Sequence, residues 1–208
     1  MYSIDNNMSD KDLENAVLLD AASFTDANVR GVLETCLEWR NKEPLVYTVL
    51  RNENGELCGY INCMPVTAAA YAKLRAGEVF DIDLRGSDLA NFADYSNSGK
   101  HGGETLNMLF VSINVAPRER ISRHRPVMKL LCYWSDMISQ MQTRGTKFGH
   151  MILDCVTPEG EALANRIPGA VVLPLKSSSL GGVQKEVLVQ DVLRYINTMR
   201  RFISGTHT

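Results

Sequence analysis

What this chain lacks narrows its class before any motif is considered. No run among its 208 residues is apolar for long enough to span a bilayer, and the polar opening stretch has no apolar signal core, which gives the expectation of a cytoplasmic protein with no membrane partner. Neither sign of charge dominates. The 22 Lys and Arg stand against 24 Asp and Glu, and a net charge of −2 provides no overall basic field to hold a polyanion, so a dedicated nucleic-acid binder is disfavoured. Cysteine is scarce and odd in number. Cys36, Cys58, Cys63, Cys132 and Cys155 sit mostly within apolar patterns and none has C-x-x-C spacing, as expected of reduced core thiols and not of a disulfide framework or zinc site; no metal is expected. Internal repeats and low-complexity linkers are also missing. With 45% hydrophobic and 22% charged residues, the chain has the composition of one globular domain over residues 1–208.

What is there centres on Leu106 to Gln142. Leu106, Met108 and Phe110 alternate with Asn107, Leu109 and Val111, and the β-branched and aromatic content up to Val115 favours a largely buried strand. Pro117 stops ladder pairing, and the connection through Arg118, Glu119, Arg120, Ile121, Ser122, Arg123, His124 and Arg125 is polar and strongly basic. Pro126 suits the first turn of a helix, and Val127, Leu130, Leu131, Trp134, Met137, Ile138 and Met141 recur at spacings of three and four, which predicts an amphipathic helix. A helix N-terminus with unpaired N–H groups, preceded by four arginines, favours an anion and in particular a phosphate.

The other elements follow from local signals. Ser9 and Asp12 form a variant capping box ahead of a helix reaching toward Phe24, and a second helix is expected from near Asp26 to Pro44. Asn52-Glu53-Asn54-Gly55 between Tyr47–Arg51 and Leu57–Met64 predicts an antiparallel hairpin. Ala68 to Leu74 reads as helix, Glu78 to Leu84 as extended, and Asn97 to Gly103 as a mobile loop. Acids outnumber bases between Thr67 and Glu104, an arrangement that would attract a cationic amine and supply a carboxylate base, with Asp81, Asp83 and Glu104 as candidates. Phe148 to Val156 reads as a strand, Thr157-Pro158-Glu159 as the start of a short helix, and Lys185 to Gln190 as a last strand. Residues 191–203 form a terminal amphipathic helix that can cover a sheet edge or pack on a second copy of the chain as a homodimer.

The order "SINVAPRERISRHRPVMKLL" from Ser112 resembles the signature of the GNAT superfamily, the acyl-CoA N-acyltransferases. Val115, Pro117, Arg120 and the Leu130-Leu131 pair match that pattern; "YTVLRNENGELCGYINCMPV" resembles the family's second and third strands, and "TPEGEALANRIPGAVVLP" its later strand–helix–strand stretch. Two features depart from it. The turn glycines are absent, with Ile121, Arg123 and Arg125 in their space, and Ala164 stands where the family often has the tyrosine that protonates the departing thiolate. The resemblance implies an α/β fold: a mainly antiparallel mixed sheet flanked by helices, in which one parallel strand pair splays. It also implies acetyl-CoA as cosubstrate and direct acyl transfer to an amine, either a small molecule or a protein. In that reading the backbone of Ile113, Asn114 and Val115 pairs with the pantetheine arm, and a backbone N–H near Val115 polarises the thioester. Arg118, Arg120, Arg123 and Arg125 hold phosphates, while Tyr60 and Asn62 face the acceptor. The alternative is a catalytically inactive GNAT-like module that binds a phosphate-bearing ligand or a protein partner.

Overall fold

The computed structural model describes residues 2–23, 32–120, 125–173 and 182–205, with side chains described as far as residue 203. Strands β1 (Ser3–Asp5), β2 (Tyr47–Arg51), β3 (Leu57–Val66), β4 (Thr105–Val115), β5 (Lys147–Cys155), β6 (Val171–Val172) and β7 (Val183–Leu188) form one sheet in the order β1-β2-β3-β4-β5-β7-β6. Every pairing is antiparallel except β4 with β5. A parallel neighbour requires a long crossover, and helix α5 (Pro126–Thr143) provides it. The other helices are α1 (Asp10–Ser23), α2 (Leu33–Lys42), α3 (Ala68–Ala76), α4 (Pro117–Arg120), α6 (Pro158–Ala164) and α7 (Val189–Gly205). No described helix is long and apolar enough to cross a membrane, and no group of three or more metal-ligating side chains gathers among the described residues.

Helices cover both faces, and each face has its own apolar cluster. On one, Leu130, Leu131, Trp134 and Ile138 of α5 and Val192, Leu193 and Ile196 of α7 pack on Ile61, Cys63, Met108 and Met151. On the other, Leu13 and Ala16 of α1, Cys36 and Trp39 of α2, and Tyr71 and Leu74 of α3 pack on Val49, Tyr60, Met64, Leu109 and Ile152. At roughly 1.5 to 3 kcal/mol for each fully buried large apolar side chain, these two clusters are the main favourable term that orders the sheet. The terminal helix covers the α5 face and not an edge: Arg200 bonds Asp136 at 2.9 Å and the Cys132 carbonyl at 2.8 Å.

Several expectations are corrected in detail. Residues 78–84 are not extended, because three 3-10 turns, Asp81–Asp83, Gly86–Asp88 and Phe92–Tyr95, carry the chain over the sheet. Alternation is a poor guide there, since α2 holds the path by hydrogen bonds. Glu38 accepts from the Gly86 N–H at 2.6 Å, the Trp39 indole donates to the Leu84 carbonyl at 3.1 Å, and buried Glu43 accepts from the Phe92 N–H at 3.0 Å. Asn97–Gly103 is a series of tight turns, with the Asn97 N–H on the Arg144 carbonyl at 3.2 Å. Pro117–Arg120, taken as part of a loop, is one helical turn. The proposed start of the second helix near Asp26 lies outside the described residues, and the described part of α2 begins at Leu33.

The capping box is present. The Ser9 N–H donates to Asp12 Oδ2 at 3.0 Å and the Asp12 N–H to Ser9 Oγ at 3.1 Å. Asp12 also receives both Arg51 guanidinium ends, at 2.8 and 2.9 Å, which ties α1 to β2. The Arg51 bond lowers the Asp12 carboxyl to about 2. A folded-state value below the unfolded one contributes stability above about pH 4 that is lost as pH falls through about 2. Between pH 5 and pH 2 the protein should therefore lose on the order of 2 kcal/mol that the Asp12→Asn variant does not have to lose. Urea unfolding at the two pH values measures this.

Candidate active site

The site begins with a strand that leaves its neighbour. On the β3 side, Asn62 faces Ser112 and Cys63 faces Phe110, so Val111 is an extra residue, a β-bulge in β4. On the β5 side, pairing stops at Phe110 with Leu153 although β4 runs on to Val115. The two parallel strands therefore form a fork. The Ala116 N–H donates to the Cys58 carbonyl at 2.8 Å, which places residue 116 in a hydrogen-bonded antiparallel pair. Bonding alternates along such a pair, so Asn114 and Ser112 also turn their backbone groups to β3, while those of Ile113 and Val115 turn into the fork. Gly59 permits the close approach of β3 at this point, since a Cβ there would lie 2.9 Å from the Asn114 carbonyl oxygen.

One carboxylate sits at the base of the fork. Asp154 follows the last β4–β5 pair and, like Ile152, points to the α1–α2 face beside Gln184 of β7. Its Oδ1 is sealed from solvent and has no hydrogen-bond partner among the described residues. Burial, reinforced by repulsion from Asp81, pushes its carboxyl up to about 7, with a smaller opposing effect from the Gln184 amide. Asp81, held over the same face by the segment that α2 clamps, is also raised, mainly by burial and further by Asp83. The sequence reading missed Asp154. Its signal was a lone acid in the apolar run from Phe148 to Val156.

Of the other predicted acids, Asp83 is exposed and caps the Phe80 N–H at 2.9 Å. Glu104 is exposed, pairs with His101 at 3.2 Å, and precedes the closed end of the β4–β5 pair. Nine residue-to-residue steps along β4 separate it from Ile113, roughly 30 Å at the usual rise, so it does not share the fork with Asp81.

Beside the fork runs a buried polar chain. The Tyr60 hydroxyl donates to Asp20 Oδ1, and the Asn114 amide donates to the same oxygen at 3.0 Å. Asn114 Oδ1 in turn accepts from Ser23 Oγ at 3.1 Å and from Arg120 Nη2 at 3.0 Å. Arg120 Nε donates to the Val115 carbonyl at 2.7 Å, so this arginine lies along the rim of the fork. Burial, with the Asp20 charge second, keeps the Tyr60 phenol well above its ordinary range. Asn62 donates to the Tyr47 hydroxyl at 3.2 Å, and its own Oδ1 is buried with no partner among the described residues. The Cys155 thiol at the end of β5 is pushed up to about 11 by burial, so it is no ready nucleophile.

At the outer end, Arg118 is exposed beside Glu119, and Arg123 lies outside the described residues. Arg125 is the N-cap of α5 with φ 50° and ψ 58°, the one non-glycine described residue with positive φ. An arginine thus holds a left-handed conformation that usually favours glycine, at the expense of roughly 1 to 2 kcal/mol.

No family model and no curated protein matches the sequence. Solved structures do match in fold. The loading GNATL domain of CurA from Lyngbya majuscula aligns with a TM-score of 0.57 at 14% identity, covering 91% of this chain and 98% of that one. A chain of the NatC complex bound to Gag peptide and CoA aligns at 0.55 with 11% identity, covering 90% and 96%. The GphF GNAT-like decarboxylase in complex with isobutyryl-CoA aligns at 0.54 with 15% identity, covering 90% and 97%. The chain has the GNAT fold. Its mixed sheet with one parallel pair is the architecture implied by the sequence resemblance, at identities where only the fold is shared.

Within this GNAT fold, Arg125 can be tested for strain and ligation together. Arg125→Gly should raise stability by about 1 kcal/mol through relief of the left-handed backbone, as read by thermal unfolding. If the guanidinium also holds a phosphate, the same variant should bind CoA roughly tenfold more weakly in calorimetric titration.

Proposed function

We propose that the protein is an acyl-CoA-dependent N-acyltransferase, acetyl-CoA being the expected donor, which transfers its acyl group directly to an amine. The observation that carries the reading is the fork: the strand edge of Ile113 and Val115 turns into it, and a sealed carboxylate oxygen of Asp154 stands at its base. An extended pantetheine arm can pair with such an edge as an added strand would. Arg118, Arg123 and Arg125, ahead of the α5 N-terminus, supply cations for the phosphates. The CoA and isobutyryl-CoA complexes among the similar folds support the same donor class.

In this mechanism Asp154 takes a proton from the bound ammonium, and Asp81 beside it favours the cationic form on arrival. The freed lone pair attacks the thioester carbon, and a fork-facing N–H of Ile113 or Val115 stabilises the oxyanion. Collapse breaks the carbon–sulfur bond, and the proton still on the new amide nitrogen passes to the thiolate. A separate acid is then not required at Ala164, which is 3% exposed. Arg120 supports the second reading, a binding module without turnover, because its Nε already occupies the Val115 carbonyl.

Release of free thiol from acetyl-CoA across a panel of amines tests the proposal. Asp154→Asn should lower the rate by roughly 10² to 10⁴ and abolish the rise in rate with pH through about 7. Stability should move the other way. A carboxyl raised above its unfolded value contributes stability at low pH that is lost as pH rises from about 4 to about 7, so Asp154→Asn should be the more stable protein at pH 8, by on the order of 1 to 3 kcal/mol. Equal rates in the two proteins would remove Asp154 from the chemistry.

A further inference from the structure

Two oxygens on the α1–α2 face of the sheet lack partners among the described residues, and they flank the bulge of β4 from opposite sides. Asn62 Oδ1 lies on β3, opposite Ser112, in a side chain only 3% exposed whose amide nitrogen is already committed to Tyr47. Asp154 Oδ1 lies on β5, one residue beyond the last pair with β4. Only the width of β4 separates the two strands, so the backbones carrying these oxygens are about 10 Å apart. Both oxygens accept hydrogen bonds. A buried acceptor left unbonded is destabilising, so whatever satisfies this pair brings donors at both ends.

Charge limits the ligand further. Asp81 lies close enough to Asp154 for the two carboxylates to repel, and neither forms an ion pair with a Lys or Arg among the described residues. Asp20 offers the ligand no free Oδ1, because Tyr60 and Asn114 already bond it. The face therefore offers negative charge around Asp154 and a neutral acceptor at Asn62, and the arginines described on it are already engaged, Arg75 by Glu186 and Arg120 by Asn114 Oδ1 and the Val115 carbonyl.

We propose that the acceptor of this site is a short aliphatic diamine, with one ammonium on Asp154 and Asp81 and the other on Asn62 Oδ1. The inference rests on the acyltransferase reading for the word acceptor, but diamine binding itself does not require turnover. The nitrogen at Asp154 is the one acylated, since it stands at the base of the fork; the nitrogen at Asn62 sets register and length. A monoamine satisfies only one of the two oxygens. An amino acid brings a carboxylate toward two others.

Calorimetric titration of the full chain, with and without CoA, decides this with 1,4-diaminobutane, 1-aminobutane and glutamate as probes. The diamine should bind roughly tenfold or more tightly than the monoamine, and glutamate should not bind. Asn62→Leu should remove the preference for the diamine, whereas Asn62→Asp, which adds a charge at the distal end, should strengthen diamine binding several-fold. The gain in the second variant cannot come from a failure to fold. Equal affinity for monoamine and diamine in the wild type, or no binding of either, would overturn the proposal. If 1-aminobutane is acylated while the diamine has no advantage, the diamine assignment falls and the acyltransferase reading stands. Tight diamine binding with no thiol release from any donor would leave the site and remove the chemistry.

Discussion

A backbone N–H or C=O withdrawn from water must find a partner, and the centre of this sheet is arranged around a place where that requirement is deliberately unmet by the sheet itself. The extra residue at Val111 and the end of pairing at Phe110 and Leu153 turn a continuous parallel pair into a fork. Much else supports that break. Helix α5 is the crossover that makes the pair parallel, β3 continues to hold the outer half of β4, and Gly59 lets it do so at close range. Arg120 bonds one of the carbonyls that turn away from β3.

The distribution of charge gives the fork a direction. Arg120 lies along its rim, with Arg118 on α4 and Arg125 at the N-terminus of an 18-residue helix, while Asp81 and Asp154 stand on the α1–α2 face toward its base. An anionic chain entering from the arginine end and a cation arriving at the acidic end would meet near Ile113. The chain's net charge of −2 conceals this local separation. Under the proposed function, fixed charges of opposite sign at the two ends of the fork would orient the two substrates without a large overall field.

Legibility in the sequence followed how local each cause was. The strand–turn–helix unit, the Asn52–Gly55 hairpin and the Ser9–Asp12 capping box could be read because their signals lie within a few residues of the structure they specify. The course of residues 78–95 could not, because Glu38 and Trp39 on a distant helix and Glu43 at its C-cap determine it. The same limit explains the mixed fate of the candidate acids. Nothing near Asp81, Asp83 or Glu104 in sequence distinguishes the one that reaches the sheet face from the two that remain at the surface. Asp154 was hidden by its apolar neighbours, since a strand pattern gives no indication of where its partner strand will leave. The missing turn glycines were visible, but that Arg125 takes up the left-handed conformation itself is a matter of backbone geometry.

The central claim is that the fork between β4 and β5 receives the pantetheine arm of an acyl-CoA. A crystal structure of the protein with CoA tests it most directly. The account expects the arm to lie between the strands, its amides bonded to the backbone of Ile113 and Val115, with the Arg120 guanidinium moved off the Val115 carbonyl and the thiol ending beside Asp154. CoA bound elsewhere, or a fork left closed by Arg120 at saturating CoA, would contradict it.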